Sequence, residues 1–244
     1  MVRAFAALVG SAAVAGTVFA VAHAPKERVI GAYATSVLGR SRTQKINATL
    51  ALRRLSGAVI KPGAEFSFNK RVGGFNRDAG YRRAPVSYNG QLIDSWGGGV
   101  CQASTTTYNA ALLAGMTIVQ RHPHQFCPSY VPAGRDAAVS FGEVDLVFKN
   151  PYAFPVRIEA HEENDGVVVQ FLGTGSTPPV EVSEEVSQIT QAGEVHLGDR
   201  TGHARQRNSG KSGYEVTVYR VIGNTRERVS EDSYPAMTRV VQYR

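Results

Sequence analysis

The spacing of apolar residues changes character several times along the chain, and each change predicts an element. Val29 to Ser41 is short, mixed and Gly-containing, and reads as an extended lead-in. From Thr43 to Leu55 the residues Ile46, Leu50, Leu52 and Leu55 approximate a helical stripe, so a core-facing helix with Thr43 as N-cap is predicted. Lys61-Pro62-Gly63 is a turn signal, and Glu65-Phe66-Ser67-Phe68-Asn69 alternates as a strand would, with both Phe side chains on one face. A glycine-rich loop, Arg71 to Tyr81, leads to a hairpin of Pro85–Tyr88 and Gln91–Asp94 around Asn89-Gly90, a pair that accommodates the positive φ angles of a tight turn. The hairpin feeds Gly97-Gly98-Gly99 and then a small-residue helix that begins near Cys101 and ends where Gly115 supplies a left-handed cap.

Downstream, Met116 to Gln120 reads as a short buried strand, and a Pro-punctuated loop runs from Arg121 to Asp136. Ala137 to Lys149 is strand-like, and Pro155–His161 pairs naturally with Gly166–Gly173 through Asn164-Asp165-Gly166. Beyond the Thr174–Pro179 linker, Val180–Ser183 can extend as a strand, and Asp199 to Ser212 reads as a polar loop. Tyr214 to Val221 alternates cleanly and turns at Gly223-Asn224 into a return strand containing Arg228-Val229-Ser230. These elements predict an α+β fold, a mainly antiparallel sheet packed with two principal helices, plus a C-terminal β-hairpin extension.

Composition changes this picture mainly at the two ends of the argument, location and partners. An uncharged, largely apolar run from Ala4 to Ala22 follows Arg3, which makes residues 1–24 a signal peptide or an uncleaved signal anchor. The chain is therefore expected to be extracytoplasmic, secreted or held to the plasma membrane by this segment. A formal net charge of +7 on 244 residues, scattered rather than massed, favours anionic surroundings, with phospholipid headgroups and anionic wall polymers as candidates. It comes with no base-reading motif, so nucleic acid is not expected as a partner.

The candidate chemistry gathers around Cys101. A thiol at a helix N-terminus meets unpaired N–H groups and the positive end of the helix dipole, which favour a thiolate. In the reactive reading Cys101 is the nucleophile, His122 or His124 the base, Asp136 or Asp145 the orienting carboxylate, and Gly97, Gly98, Gly99, Gln102 and Ser104 a ligand or oxyanion loop. No spacing rule chooses between the two histidines. The competing reading is packing: Cys101, Thr105, Tyr108 and Leu112 share one side of the helix, and Ala103, Ala110, Ala111 and Ala114 permit close approach elsewhere. A disulfide between Cys101 and Cys127, the two cysteines of the chain, is a further alternative in an oxidising compartment. Cys101, His122, His124 and Cys127 are ligands of the kind zinc takes, but their spacing fits no standard finger, and neither metal nor cofactor is expected.

The run Gly97-Gly98-Gly99-Val100-Cys101-Gln102-Ala103-Ser104-Thr105-Thr106, continued by Tyr108-Asn109-Ala110, resembles the signature of the VanW family of bacterial envelope proteins. Pro62–Asn69, Gly80-Tyr81, Arg121-His122-Pro123-His124, Tyr130–Ala137 and Asp145–Asn150 agree with it in order and approximate spacing. The resemblance covers residues 31–173 as a VanW-like domain, leaving 174–244 as linker and β-hairpin extension, and Cys127 departs from it. What it implies is an exported cell-envelope protein that binds or acts on peptidoglycan or its precursors, with a link to glycopeptide resistance. The sharper alternative is a cysteine-dependent hydrolase or transferase acting on wall peptides.

Overall fold

A computed structural model describes residues 26–88 and 91–243. The expected leader or anchor and the Asn89-Gly90 turn lie outside the described residues. Among those residues, no helix is long and apolar enough to cross a membrane.

The fold is α+β, built from small and mainly antiparallel sheets around a buried helix. β1 (Arg28–Ser36), β2 (Val59–Ile60), β8 (Val156–Glu163) and β9 (Gly166–Gly173) form a sheet in the order β1-β9-β8-β2. The β8–β9 hairpin is the one the alternation predicts, and Val156, Ile158, Val167, Val169 and Phe171 are buried on its inner face. A second sheet takes β3 (Glu65–Ser67), β7 (Val147–Lys149) and β6 (Thr117–Gln120) in the order β3-β7-β6. β4 (Arg83–Tyr88) pairs with β5 (Gln91–Trp96) as the predicted hairpin.

Two long helices fill the space between these sheets. α1 (Arg42–Leu55) turns Ala48, Ala51, Leu52 and Leu55 to the core. Its N-cap is Ser41 and not Thr43: the Ser41 hydroxyl accepts from the Gln44 amide while the Gln44 side chain accepts from the Ser41 amide, a capping box that fixes the start two residues earlier. α3 (Val100–Leu113) is not a one-sided helix, since Val100 and every residue from Gln102 to Leu112 are buried. Its threonines satisfy their hydroxyls on the preceding turn, Thr106 on Gln102 and Thr107 on Ala103, both at 2.8 Å, so polar residues enter the core at little cost. Gly115, at φ +68°, closes the helix as expected.

Three other expectations are corrected. The Glu65–Asn69 strand stops at Ser67, whose hydroxyl caps the short α2 (Phe68–Val72) by accepting from Lys70 N at 3.1 Å, so Phe66 and Phe68 belong to different elements. β6 is half exposed and not buried, because it lies at a sheet edge with Val119 facing out. Of Ala137–Lys149 only the end is a ladder strand. Ahead of it the backbone is held by α3 side chains: Ser104 donates to Ala137 O at 2.6 Å, and Ala137 N donates to Thr105 Oγ1 at 3.0 Å. Those bonds replace strand pairing in satisfying the buried peptide groups.

In the C-terminal part, β10 (Val180–Thr190), β13 (Gly213–Ile222) and β14 (Thr225–Tyr234) form a sheet in the order β10-β13-β14, so the predicted hairpin has a third strand. β11 (Glu194–Leu197), β12 (Ala204–Asn208) and β15 (Arg239–Tyr243) form another, in which β11 and β15 run parallel. The expected Asp199–Ser212 loop therefore contains a strand. The β10-β13-β14 sheet packs on the α3 side of the molecule through charged anchors on β13 and β10. Arg220 donates to Met116 O at 2.8 Å and Arg135 pairs with Glu184 at 2.6 Å.

Candidate active site

The site is assembled where the hairpin β4–β5, helix α1 and helix α3 meet. The glycine run makes that meeting feasible. Gly99 caps α3 at φ +108°, and a Cβ there would stand 2.3 Å from the Gln44 carbonyl oxygen of α1. A Cβ on Gly98 would come within 2.8 Å of the carbonyls of Ala84 and Pro85. The run is thus pressed between α1 and β4, and it delivers Cys101 to the first turn of α3. Val100 N bonds to Gly97 O and Gln102 N to Gly99 O, while the Cys101 amide has no backbone partner among the described residues. It is one of the orphan donors of the helix N-terminus, available to a developing oxyanion.

His124 lines the same cleft as Cys101 and is the group that pulls its thiol pKa down most strongly. Its Nδ1 lies 2.5 Å from Asp136 Oδ2, which also accepts the His124 backbone N–H at 2.7 Å. Nδ1 being engaged by Asp136, Nε2 is the ring nitrogen left free of that carboxylate. The result is a Cys–His–Asp relay, with the carboxylate fully buried and the imidazole partly open. It has the logic of a nucleophile, a base and a group that orients the base.

Electrostatics reinforce the geometry. Burial pushes the Cys101 thiol up, but the hydrogen bonding and charge of His124, with a smaller contribution from the Val139 backbone, outweigh it, so the thiol ends below its ordinary value. Burial pushes His124 down, and its bonds to Asp136 and Cys101 overcome that and raise it to about 9. Burial would raise Asp136, yet His124 and Arg121 hold its carboxyl low. At neutral pH His124 and Asp136 stand as imidazolium and carboxylate, and the Cys101 thiol is shifted toward its thiolate form.

Asp136 is held from behind by residues that sequence reasoning missed. Arg121, almost wholly buried, pairs with Asp136 Oδ1 at 2.9 Å and with Asp232 Oδ1 at 2.5 Å. The Tyr234 hydroxyl donates to the same Asp136 Oδ1 at 2.5 Å. Asp232 and Tyr234 lie on β14, two residues apart and both buried. An acidic residue at an inward position of an alternating strand was the available signal for them.

The other candidates are elsewhere. His122 is exposed, with Nε2 3.0 Å from Gln120 Nε2. Asp145 accepts from Ser67 Oγ at 2.5 Å, Asn69 N at 2.9 Å and Leu146 N at 2.8 Å, and so braces the start of α2. Gln102 is anchored on Ser36 O at 2.7 Å and Thr35 Oγ1 at 3.1 Å, and Ser104 on Ala137 O, so their polar groups are engaged within the fold. Cys101 and Cys127 are separate free thiols, the first directed at Val139 O and the second at Pro128 O. Among the described residues no three His, Cys, Asp or Glu side chains form a metal-holding group.

Cys101 and His124 open into a cleft of about 200 Å³ bordered by Gly97, Gly98, Gly99 and Tyr130.

Comparison with known proteins places this site in a family. The chain is 37% identical over 145 residues to a Bacillus subtilis protein named uncharacterized protein YoaR, covering 59% of this chain and 48% of that one. It is 36% identical over 131 residues to the vancomycin B-type resistance protein VanW of Enterococcus faecalis, covering 52% and 48%. It spans about half the length of these curated relatives. No solved structure matches it significantly. A family model described as VanW like protein matches residues 43–172, a segment that holds Cys101, His124, Asp136 and Arg121 but not Asp232 or Tyr234. The chain belongs to the VanW-like family.

Proposed function

We propose that the protein is a cysteine-dependent acyl transferase or hydrolase of the cell envelope, acting on peptide or amide bonds of peptidoglycan or its precursors. The observation that carries this reading is the Cys101–His124–Asp136 relay at the mouth of an open cleft. The thiolate of Cys101 attacks a carbonyl carbon, forming a C–S bond as the C–N bond breaks. His124 gives its proton to the departing amine. The thioester is then opened by water or by a second amine, whose proton returns to His124, and Cys101 leaves as thiolate. The Cys101 amide is placed to receive the oxyanion of each tetrahedral stage. The wall as the place of action is supported by the apolar run at residues 4–22, by the net charge of +7 and by kinship to a protein named for vancomycin resistance.

The test reads thiol and turnover separately. Alkylation of the purified protein is followed from pH 5 to 10, and soluble wall peptides are assayed for amine release and for an acyl adduct on Cys101 by mass spectrometry. The expected result is fast alkylation of Cys101 well below an ordinary thiol pKa of about 8.5, with an adduct that Cys101→Ala abolishes. A rate rising only through an ordinary thiol pKa would overturn the nucleophile. Retention of wall fragments that persists in Cys101→Ala, with no turnover in the parent, would assign a binding module instead.

A further inference from the structure

The cleft in front of Cys101 has a charge pattern that the relay does not use. None of its lining residues is Asp or Glu, whereas Arg40 and Lys211 both border it. Arg40 is half-buried, with its guanidinium 4.6 Å above the centre of the Tyr130 ring. Its side chain makes no ion pair or hydrogen bond among the described residues. Tyr130 in turn stands over the helix end, with its hydroxyl 3.5 Å from both Cys101 O and Thr105 Oγ1. Lys211, also half-buried, donates to Cys127 O at 3.0 Å and to no carboxylate among the described residues, and the Lys211–Met237 bridge fixes its backbone.

These two cations are close enough to oppose each other. Burial lowers the Lys211 ammonium most, and Arg40 adds to the lowering while Cys127 and Asp136 oppose it. Like charges held half-buried across a cleft, with no internal carboxylate between them, are unfavourable unless a ligand supplies the counter-charge. The remaining titratable groups at the cleft are Cys101, His124 and Tyr130. His124 is paired with the Asp136 carboxylate, and burial pushes the Tyr130 hydroxyl far above neutrality, so it stays uncharged.

Building on the acyl-transfer reading, we infer that Arg40 and Lys211 form an anion subsite beside Cys101, which selects substrates carrying a carboxylate close to the acyl group that is attacked. Arg40 supplies a planar fork suited to a carboxylate, and Lys211 a point charge on the opposite side. Both residues lie outside the segment 43–172 that matches the family.

The test compares two alkylating probes of similar size and opposite demand, iodoacetate and iodoacetamide, on the full chain carrying Cys127→Ala so that one thiol reports. The urea-unfolded chain gives the reference rate ratio. The folded protein should favour iodoacetate over that reference by about threefold or more, the effect of one or two partly screened charge contacts. The excess should shrink at high salt, vanish in Arg40→Gln/Lys211→Gln, and survive in Arg40→Lys/Lys211→Arg, which keeps both charges and guards against a folding defect. A ratio equal to the reference, or one indifferent to the Gln pair, overturns the subsite. Slow alkylation by iodoacetamide at neutral pH overturns the nucleophile instead. The charge preference is then still read at pH 9.5, so the two failures are distinguishable.

Discussion

The chain's two thiols stand on opposite sides of one loop and meet different fates. Cys127 sits in the Pro-bounded segment after His124, beside Pro128 and a shallow recess, where burial and the nearby Asp136 charge push it up to about 11. Cys101 is also buried, and burial alone would do the same to it. The difference is a single imidazolium. His124 lines the same cleft as Cys101, is kept charged by Asp136, and reverses the sign of the shift. A helix N-terminus helps within its first turn, at about 0.3–1 kcal/mol for an exposed charge. The buried partner decides.

The largest way to break this asymmetry is at Asp136. It accepts from Arg121, Tyr234 and both nitrogens of His124 that can reach it, and it is completely buried. Asp136→Ala leaves a buried guanidinium with one carboxylate fewer, at a cost of about 3–5 kcal/mol, measured as a drop in urea midpoint with unchanged slope. Asp136→Asn keeps the shape and isolates the charge. The carboxyl is depressed in the folded state, so its contribution is complete above 3.8 and is lost as pH falls through the lower folded value. The stability gap between the parent and Asp136→Asn should accordingly close below about pH 4. A gap that is constant from pH 7 to pH 2 would contradict an ionised Asp136.

Next in size is His124→Gln. With the imidazolium gone, burial acts on Cys101 unopposed, and its alkylation rate at pH 7 should fall by about ten- to a hundredfold, one to two units of thiol pKa. The two cysteines should then become hard to tell apart by peptide mapping of the alkylated protein. His122→Gln serves as the matched control. That ring is exposed and turned toward Gln120, so the Cys101 rate should not move.

Tyr234→Phe comes third and tests whether the C-terminal hairpin belongs to the site. It removes a donor to the buried Asp136 oxygen, a hydrogen bond to a charged group worth about 1.5–3 kcal/mol. Arg121 remains. Asp136 should therefore stay ionised but hold His124 less firmly, shifting the alkylation profile of Cys101 upward by a fraction of a pH unit in a folded protein. A destabilised variant with an unmoved profile would reduce Tyr234 to a structural anchor.

How much of this was legible in the sequence follows from what each element needs. The β8–β9 hairpin and the β13–β14 hairpin are carried by local alternation and turn residues, so they could be read directly. The start of α1 was misplaced because a capping box depends on which hydroxyl reaches Gln44 N, and Ser41, Thr43 and their spacing leave that open. The stretch before β7 looked like a strand, but the Ala137 peptide groups pair with Ser104 and Thr105 of α3, contacts between segments distant in sequence. The site shows the same division. Cys101 was legible from the glycine run, whereas the choice of His124 over His122 turned on two residues in a loop without period. Tyr234 reaches Asp136 and Asp232 reaches Arg121 across about a hundred residues, and although an inward acidic position marks Asp232 as notable, no local pattern names its partner.

The smallest expected effect sharpens the comparison most, because it concerns the thiol that should do nothing. Cys127 accepts Lys211 through its backbone carbonyl, which Cys127→Ala preserves, and its own sulfur meets only Pro128 O at 3.6 Å. Stability should change by no more than about 1 kcal/mol, and the Cys101 alkylation profile should superimpose on that of the parent. In oxidising buffer the parent should likewise show both thiols free by mass. The two sulfurs are engaged with different carbonyls, and closing a bridge demands Cβ atoms about 3.5–4.5 Å apart. If Cys127→Ala instead raises Cys101 reactivity in oxidised samples and leaves it unchanged after reduction, the pair is bridged in part of the population. The asymmetry between the two thiols would then be a redox switch, with Cys127 as the resolving partner, and not a fixed property of their surroundings.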